Sequence, residues 1–231
     1  MSNAHDHHHE ALDWREWPPD EDYGHASMGK LGMWLFLLSD CMSFAGLLLG
    51  YGMLRGGSKL WWCSEELFNE GVCNVGPNGF EPEFGIPFTA GLTFLLICSS
   101  VTMVMAYAAC VEKDRKGMLT WLGLTSLGGA LFLVGQDIEY FGMGHHGNLI
   151  GLGLVFGESA RASTFYMTTS FHGLHVLSGV TYLSVMWVMA YRGRFDGGNY
   201  NMLEIAGLFW HFVDLVWILV FTFIYLIPEP F

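Results

Sequence analysis

A histidine and a carboxylate, His211 and Asp214, sit three residues apart inside an apolar run from Leu203 to Ile227. On a helix that spacing puts both on one face. His172 and His175 repeat the spacing within Ser163-Thr164-Phe165-Tyr166 and the residues up to Gly179. Asp40 stands in Ser39-Asp40-Cys41-Met42-Ser43, and Gln136 and Glu139 are again three apart in Gln136-Asp137-Ile138-Glu139-Tyr140. Imidazoles and carboxyls placed this way can pass protons, or they can hold a metal or haem. Haem held by two histidines needs both rings aimed at one iron from facing helices, and a zinc site needs more ligands around one centre. His172, His175 and His211 are the candidates for haem, but the chain has no CxxCH attachment and no zinc motif. The plainer assignment is structural: hydrogen-bonded side chains in a helix interface, with Gly173 and Gly179 letting helices come close.

The elements that must position these groups are membrane helices. Of the 231 residues 52% are apolar and 14% charged, against roughly 25% charged in a soluble domain. Five spans follow, at about 31–54, 87–111, 118–141, 162–191 and 203–227, each near or above the ~20 residues that cross a bilayer. No period-2 alternation points to a β-barrel. The expected fold is therefore all-α, a bundle of five transmembrane helices forming one membrane domain over 30–231, preceded by an acidic, His-rich tail over 1–29. Asp40 falls ten residues past Lys30, about 15 Å along a helix and close to the midplane. A carboxyl there costs about 2.5–3.5 kcal/mol on insertion scales, so it must face protein. A neutral acid bonded to a neighbour is one reading of Asp40; a part in proton handling is the other. Gly46 and Gly50 offer a close-packing surface for another helix.

Loop charge sets the orientation. With the N-terminus cytoplasmic, that side holds Arg15, Lys30, Lys113, Arg115, Lys116, Arg192 and Arg194, and the other only Arg55, Lys59 and Arg161. The positive-inside rule thus favours N-in and C-out. Cys63 and Cys73 then fall in an outer loop, where a disulfide and two free thiols are equally open alternatives, while Cys41, Cys98 and Cys110 read as small packing residues. The residues before the first span lack an apolar core, which predicts no signal peptide. Histidines 5, 7, 8 and 9 read as a solvated tail rather than a metal site. The net charge of −12 speaks against nucleic acid as a partner.

Five stretches carry a resemblance. Trp210-His211-Phe212-Val213-Asp214-Leu215-Val216-Trp217 and Phe171-His172-Gly173-Leu174-His175-Val176 resemble signatures of subunit III of the haem-copper respiratory oxidases, the cytochrome c oxidase type. The stretches Gly32–Tyr51, Leu96–Ala109 and Gly135–Phe141 are similar to its remaining helices, in order. Longer members have seven helices, and this chain looks like the five-helix bacterial form. Asp40 stands where the family usually has glutamate, one methylene longer. The resemblance implies a non-catalytic subunit of a proton-pumping terminal oxidase in the bacterial cytoplasmic (inner) membrane. Such a subunit holds no cofactor; haem and copper belong to partner subunits. It packs against oxidase subunits I and II, binds phospholipids and supports catalytic-subunit stability and proton uptake, the last through Asp40. A respiratory supercomplex is the wider assembly it leaves open.

Other classes compete. One is a membrane cytochrome or quinol-oxidising anchor whose histidines hold haem. Another is the related five-helix subunit associated with nitric oxide reductase. A third is a small transporter built around Asp40, Glu139 and Asp214, against which no repeated halves and no broken span are visible.

Overall fold

The structure, a computed structural model, describes residues 28–57, 61, 85–141, 156–157, 159–195 and 201–227. Five helices appear in chain order: α1 (Met28–Gly57), α2 (Gly85–Val111), α3 (Arg115–Phe141), α4 (Ala160–Tyr191) and α5 (Asn201–Phe221), the last running on into a π-helical turn at Thr222–Leu226. All five are long and apolar enough to cross a membrane, and no strand occurs among the described residues. Helix is the expected outcome, because in hydrocarbon every backbone N–H and C=O must be paired within the segment itself. The helices begin two or three residues before the expected spans. Polar starts such as Lys30 and Arg115 can sit at headgroup level and still continue the backbone ladder. Cys63, Cys73, the N-terminal histidines, His145, His146 and Glu158 lie outside the described residues.

Local chemistry fixes three of the helix ends. Asp114 N–H bonds to Ala109 O at 2.9 Å and Lys113 N–H to Cys110 O at 3.1 Å, with Lys113 at φ 61°. This is a Schellman closure of α2. Asp114 Oδ1 then accepts from Lys116 N–H at 3.2 Å at the start of α3. So short a turn makes α2 and α3 antiparallel neighbours. At α4, Ser159 is the N-cap, its hydroxyl accepting from Ala162 N–H at 3.1 Å.

The bundle closes around α5. It packs on α1, α2 and α4, while α3 packs on α2 and α4. Trp210 reaches the centre: its indole N–H donates to Ser99 Oγ at 3.1 Å, and its ring lies over Gly129 of α3 and Gly179 of α4. A Cβ at Gly129 would stand 2.6 Å from Val180 Cγ2 and overlap the indole; one at Gly179 would stand 2.9 Å from the ring. Small residues thus buy the close approach that membrane helices need. At the N-terminal ends of α1 and α5, Lys30 Nζ meets Glu204 Oε1 at 2.7 Å and ties the two helices together.

Two sequence expectations are corrected. Gly46 and Gly50 do not pack against another helix of this chain; nothing lies within 4 Å of where their Cβ atoms would be. The glycine spacing marks a flat stripe, and here that stripe faces outward. Of the three membrane cysteines only Cys110 is buried, whereas Cys41 and Cys98 are exposed. Helical phase turns those two away from the neighbours that Asp40 and Ser99 meet.

Candidate functional site

Asp40 lies on the buried face of α1, twelve residues from its start, and meets α4. Its Oδ1 is 3.0 Å from His175 Nε2. The other imidazole nitrogen, Nδ1, is 2.7 Å from Phe171 O. A carbonyl only accepts, so Nδ1 carries a proton. The bond from Nε2 to Asp40 therefore holds one further proton, placed either on the acid or on the ring. The couple is a one-proton pair: Asp–H with neutral His, or carboxylate with imidazolium. Around it stand Phe44, 5.2 Å from the His175 ring centre, and Phe171, 4.7 Å from it. Asp40 Oδ2 is buried and has no partner.

His172 lies one turn away and behaves differently. It is wholly buried, yet neither ring nitrogen has a hydrogen-bond partner. The expected hydrogen-bonded interface histidine is thus found for His175 and not for His172. Its ring stacks on Trp217 at 4.8 Å and meets the edge of Phe132 at 6.1 Å. Aromatic residues fill the positions from which a polar partner would reach it.

Asp214 faces α2. Ser100 Oγ donates to its Oδ2 at 2.6 Å, and its Oδ1 has no partner. His211, one turn earlier, is half-buried and close enough to Asp214 to interact electrostatically, and it makes no hydrogen bond among the described residues. The shared face predicted from spacing is present, but only the carboxyl uses it to hold another helix. The three histidines have separate surroundings: an aromatic cage, Asp40, and the edge of α5. Among the described residues no group of three or more His, Cys, Asp or Glu side chains could hold a metal.

Towards the other end of the bundle, Gln136 and Glu139 do make specific contacts. Gln136 Nε2 donates to Tyr140 OH at 2.7 Å and to Thr169 O at 3.1 Å. Glu139 is buried and its Oε1 accepts from Thr89 Oγ1 at 2.8 Å and from Tyr225 OH at 3.2 Å. Glu139 is thus bonded inside the bundle rather than exposed at its surface. Asp137, two residues earlier and turned to the opposite side, is the exposed acid. Tyr225 reaches Glu139 from the π-helical turn, a device that re-aims side chains at a helix end.

Sequence reasoning missed the partners: Thr89, Ser100 and Tyr225. For Thr89 and Ser100 the only signal was the serine- and threonine-rich character of α2, and Tyr225 carried none. Single hydroxyls on an apolar helix normally bond their own backbone three or four residues back, so composition does not say which one turns outward.

Comparison with known proteins agrees across the chain. A family model described as Cytochrome c oxidase subunit III matches residues 25–228. "Cytochrome c oxidase subunit 3" of Thermostichus vulcanus is 32% identical over 211 residues, 91% of this chain and 92% of that protein. "Cytochrome bo(3) ubiquinol oxidase subunit 3" of Pseudomonas aeruginosa is 33% identical over 209 residues, 90% of each. "Cytochrome c oxidase subunit 3" of Corynebacterium diphtheriae is 33% identical over 204 residues, 87% of this chain and 89% of that one.

Proposed function

The chain belongs to the cytochrome c oxidase subunit III family and is a multi-pass membrane subunit of a respiratory terminal oxidase; from that premise we propose that it supports proton uptake through Asp40 while leaving redox chemistry to its partners. Membership implies association with other oxidase subunits and, in bacteria, residence in the inner membrane. Subunits I and II are the partners of this reading, with haem and copper held there. Phospholipid covers the apolar outer surfaces of the helices, and the N-terminus is cytoplasmic.

One observation carries the proposal: the Asp40–His175 pair, in which a single proton lies between two groups that can each hold it. Such a pair can take up or release a proton with little rearrangement. Phe44 and Phe171 pack against the His175 ring and shield the pair. Asp40→Asn tests this. The amide can donate to Nε2 and keep the contact, but it removes the mobile proton. Oxygen reduction should start at the normal rate, while proton ejection or endurance over many turnovers falls. No change in any of these leaves Asp40 as a packing group.

Cytochrome c is the electron donor of this reading. The likeness to a ubiquinol oxidase subunit at similar identity favours quinol as a second reading. Oxygen consumption by the purified complex with each reduced donor separates the two.

A further inference from the structure

The proposal that follows rests on the subunit reading and concerns which face of the chain meets its partner. His211 lies ten residues into a span that runs from Asn201 to Leu226. At 1.5 Å per residue that is about 15 Å, the middle of a ~30 Å hydrocarbon core. The ring is half-buried and makes no hydrogen bond among the described residues. Its outward neighbours one and two turns on, Leu215 and Ile218, are exposed. Across the Ser100–Asp214 bond, α2 continues this face with Ile97 and Val104, also exposed and three and four residues from Ser100. Two apolar stripes thus flank an imidazole at the midplane.

Lipid does not suit that imidazole. Acyl chains offer neither donor nor acceptor, and an unpaired polar group in hydrocarbon costs several kcal/mol. Hydroxyls on the outer surface of the bundle avoid the cost internally. Ser39 bonds Phe36 O, Ser43 bonds Ser39 O, Thr181 bonds Leu177 O and Thr222 bonds Ile218 O, all at 2.7–3.2 Å. His211 has no such bond. Asp214 lies close enough to act on the ring electrostatically, but no hydrogen bond joins the two among the described residues, its Oδ2 being held by Ser100.

We infer that the α5–α2 face centred on His211 docks a transmembrane helix of another oxidase subunit that presents a hydroxyl or carboxamide at the bilayer midplane. A neutral imidazole has one donor and one acceptor, and those two side-chain types supply both complements. Leu215, Ile218, Ile97 and Val104 provide the apolar contact on either side.

The test uses the whole complex. A photo-crosslinking residue is placed at Leu215 or Val104, and, as controls on other faces, at Leu131 of α3 or Leu174 of α4. The expected result is a covalent adduct with another oxidase subunit from Leu215 and Val104, and lipid adducts from the controls. In parallel, His211→Phe should lower retention of this chain in the washed complex by about three- to tenfold, the range of one interhelical hydrogen bond in membranes, and His211→Gln should restore it. Crosslinks from Leu215 that reach only lipid or a second copy of this chain, in a complex that still co-purifies, overturn the inference and leave the subunit reading intact. A chain that co-purifies with no oxidase subunit overturns both.

Discussion

Ser100 Oγ donates to Asp214 Oδ2 at 2.6 Å, joining α2 to α5 in the middle of the membrane. The bond explains how a carboxylic acid is tolerated inside an apolar run: it is turned from lipid onto a facing hydroxyl. Asp214→Leu should therefore lower the thermal stability or assembly of the complex, by an amount on the order of 1 kcal/mol, with turnover of intact complexes little changed. Asp214→Asn keeps an acceptor for Ser100 and should cost less. Thermal unfolding beside oxygen consumption checks this. Normal assembly with abolished oxygen reduction would instead give Asp214 a part in the chemistry.

Gly129 and Trp210 make a second, purely steric prediction. Gly129→Ala puts a methyl into the indole and Val180, and overpacking of this kind costs about 1–3 kcal/mol. Gly207→Ala meets only the Met103 side chain, Cε at 3.5 Å and Cγ at 3.8 Å, so it should be neutral, or stabilising by up to about 1 kcal/mol through helix propensity. Melting temperatures of the two variants in detergent should fall on opposite sides of the native value or nearly so. Equal losses would mean that the Trp210 slot is not tight.

The chain purified away from its partners should carry no haem or copper. His172, His175 and His211 have three different surroundings, and two of those rings are committed to Trp217 and Asp40. An absorption spectrum decides it. A stoichiometric Soret band that shifts on His172 or His211 substitution would return the chain to the haem-binding class.

Cys63 and Cys73 would close a small loop if they were bridged. The bridge would contribute about 2–3 kcal/mol in the chain-entropy model. Mass mapping of unreduced peptides should find the linked pair. Two freely alkylated thiols in native material would remove it.

Much of this could be read in the sequence because the membrane simplifies the problem. Spans, helix order and the burial of Asp40 and Asp214 follow from length and from the cost of polar groups in hydrocarbon. Pairing was harder to see. Asp40 and His175 are 135 positions apart and lie on helices that are not consecutive; neither stretch contains the other's address. His172 and His175 look equivalent in the motif, yet a rotation of 300° along the helix gives one an acid and the other Trp217. Gly46 and Gly129 look equally suited to packing, and only the tertiary arrangement shows that an indole lies over Gly129 while Gly46 faces outward. The resemblance named the assembly, but it did not say which atom meets which.

The central claim is that Asp40 and His175 hold one exchangeable proton that serves the oxidase. Its most direct test is proton ejection per oxygen consumed in reconstituted vesicles, followed over many turnovers, for native enzyme and Asp40→Asn. The account predicts a normal initial rate of oxygen reduction with a lower proton yield or faster inactivation, and native behaviour for Asp40→Glu, which restores a titratable acid. An Asp40→Asn enzyme with native rate, native proton yield and native endurance would contradict it.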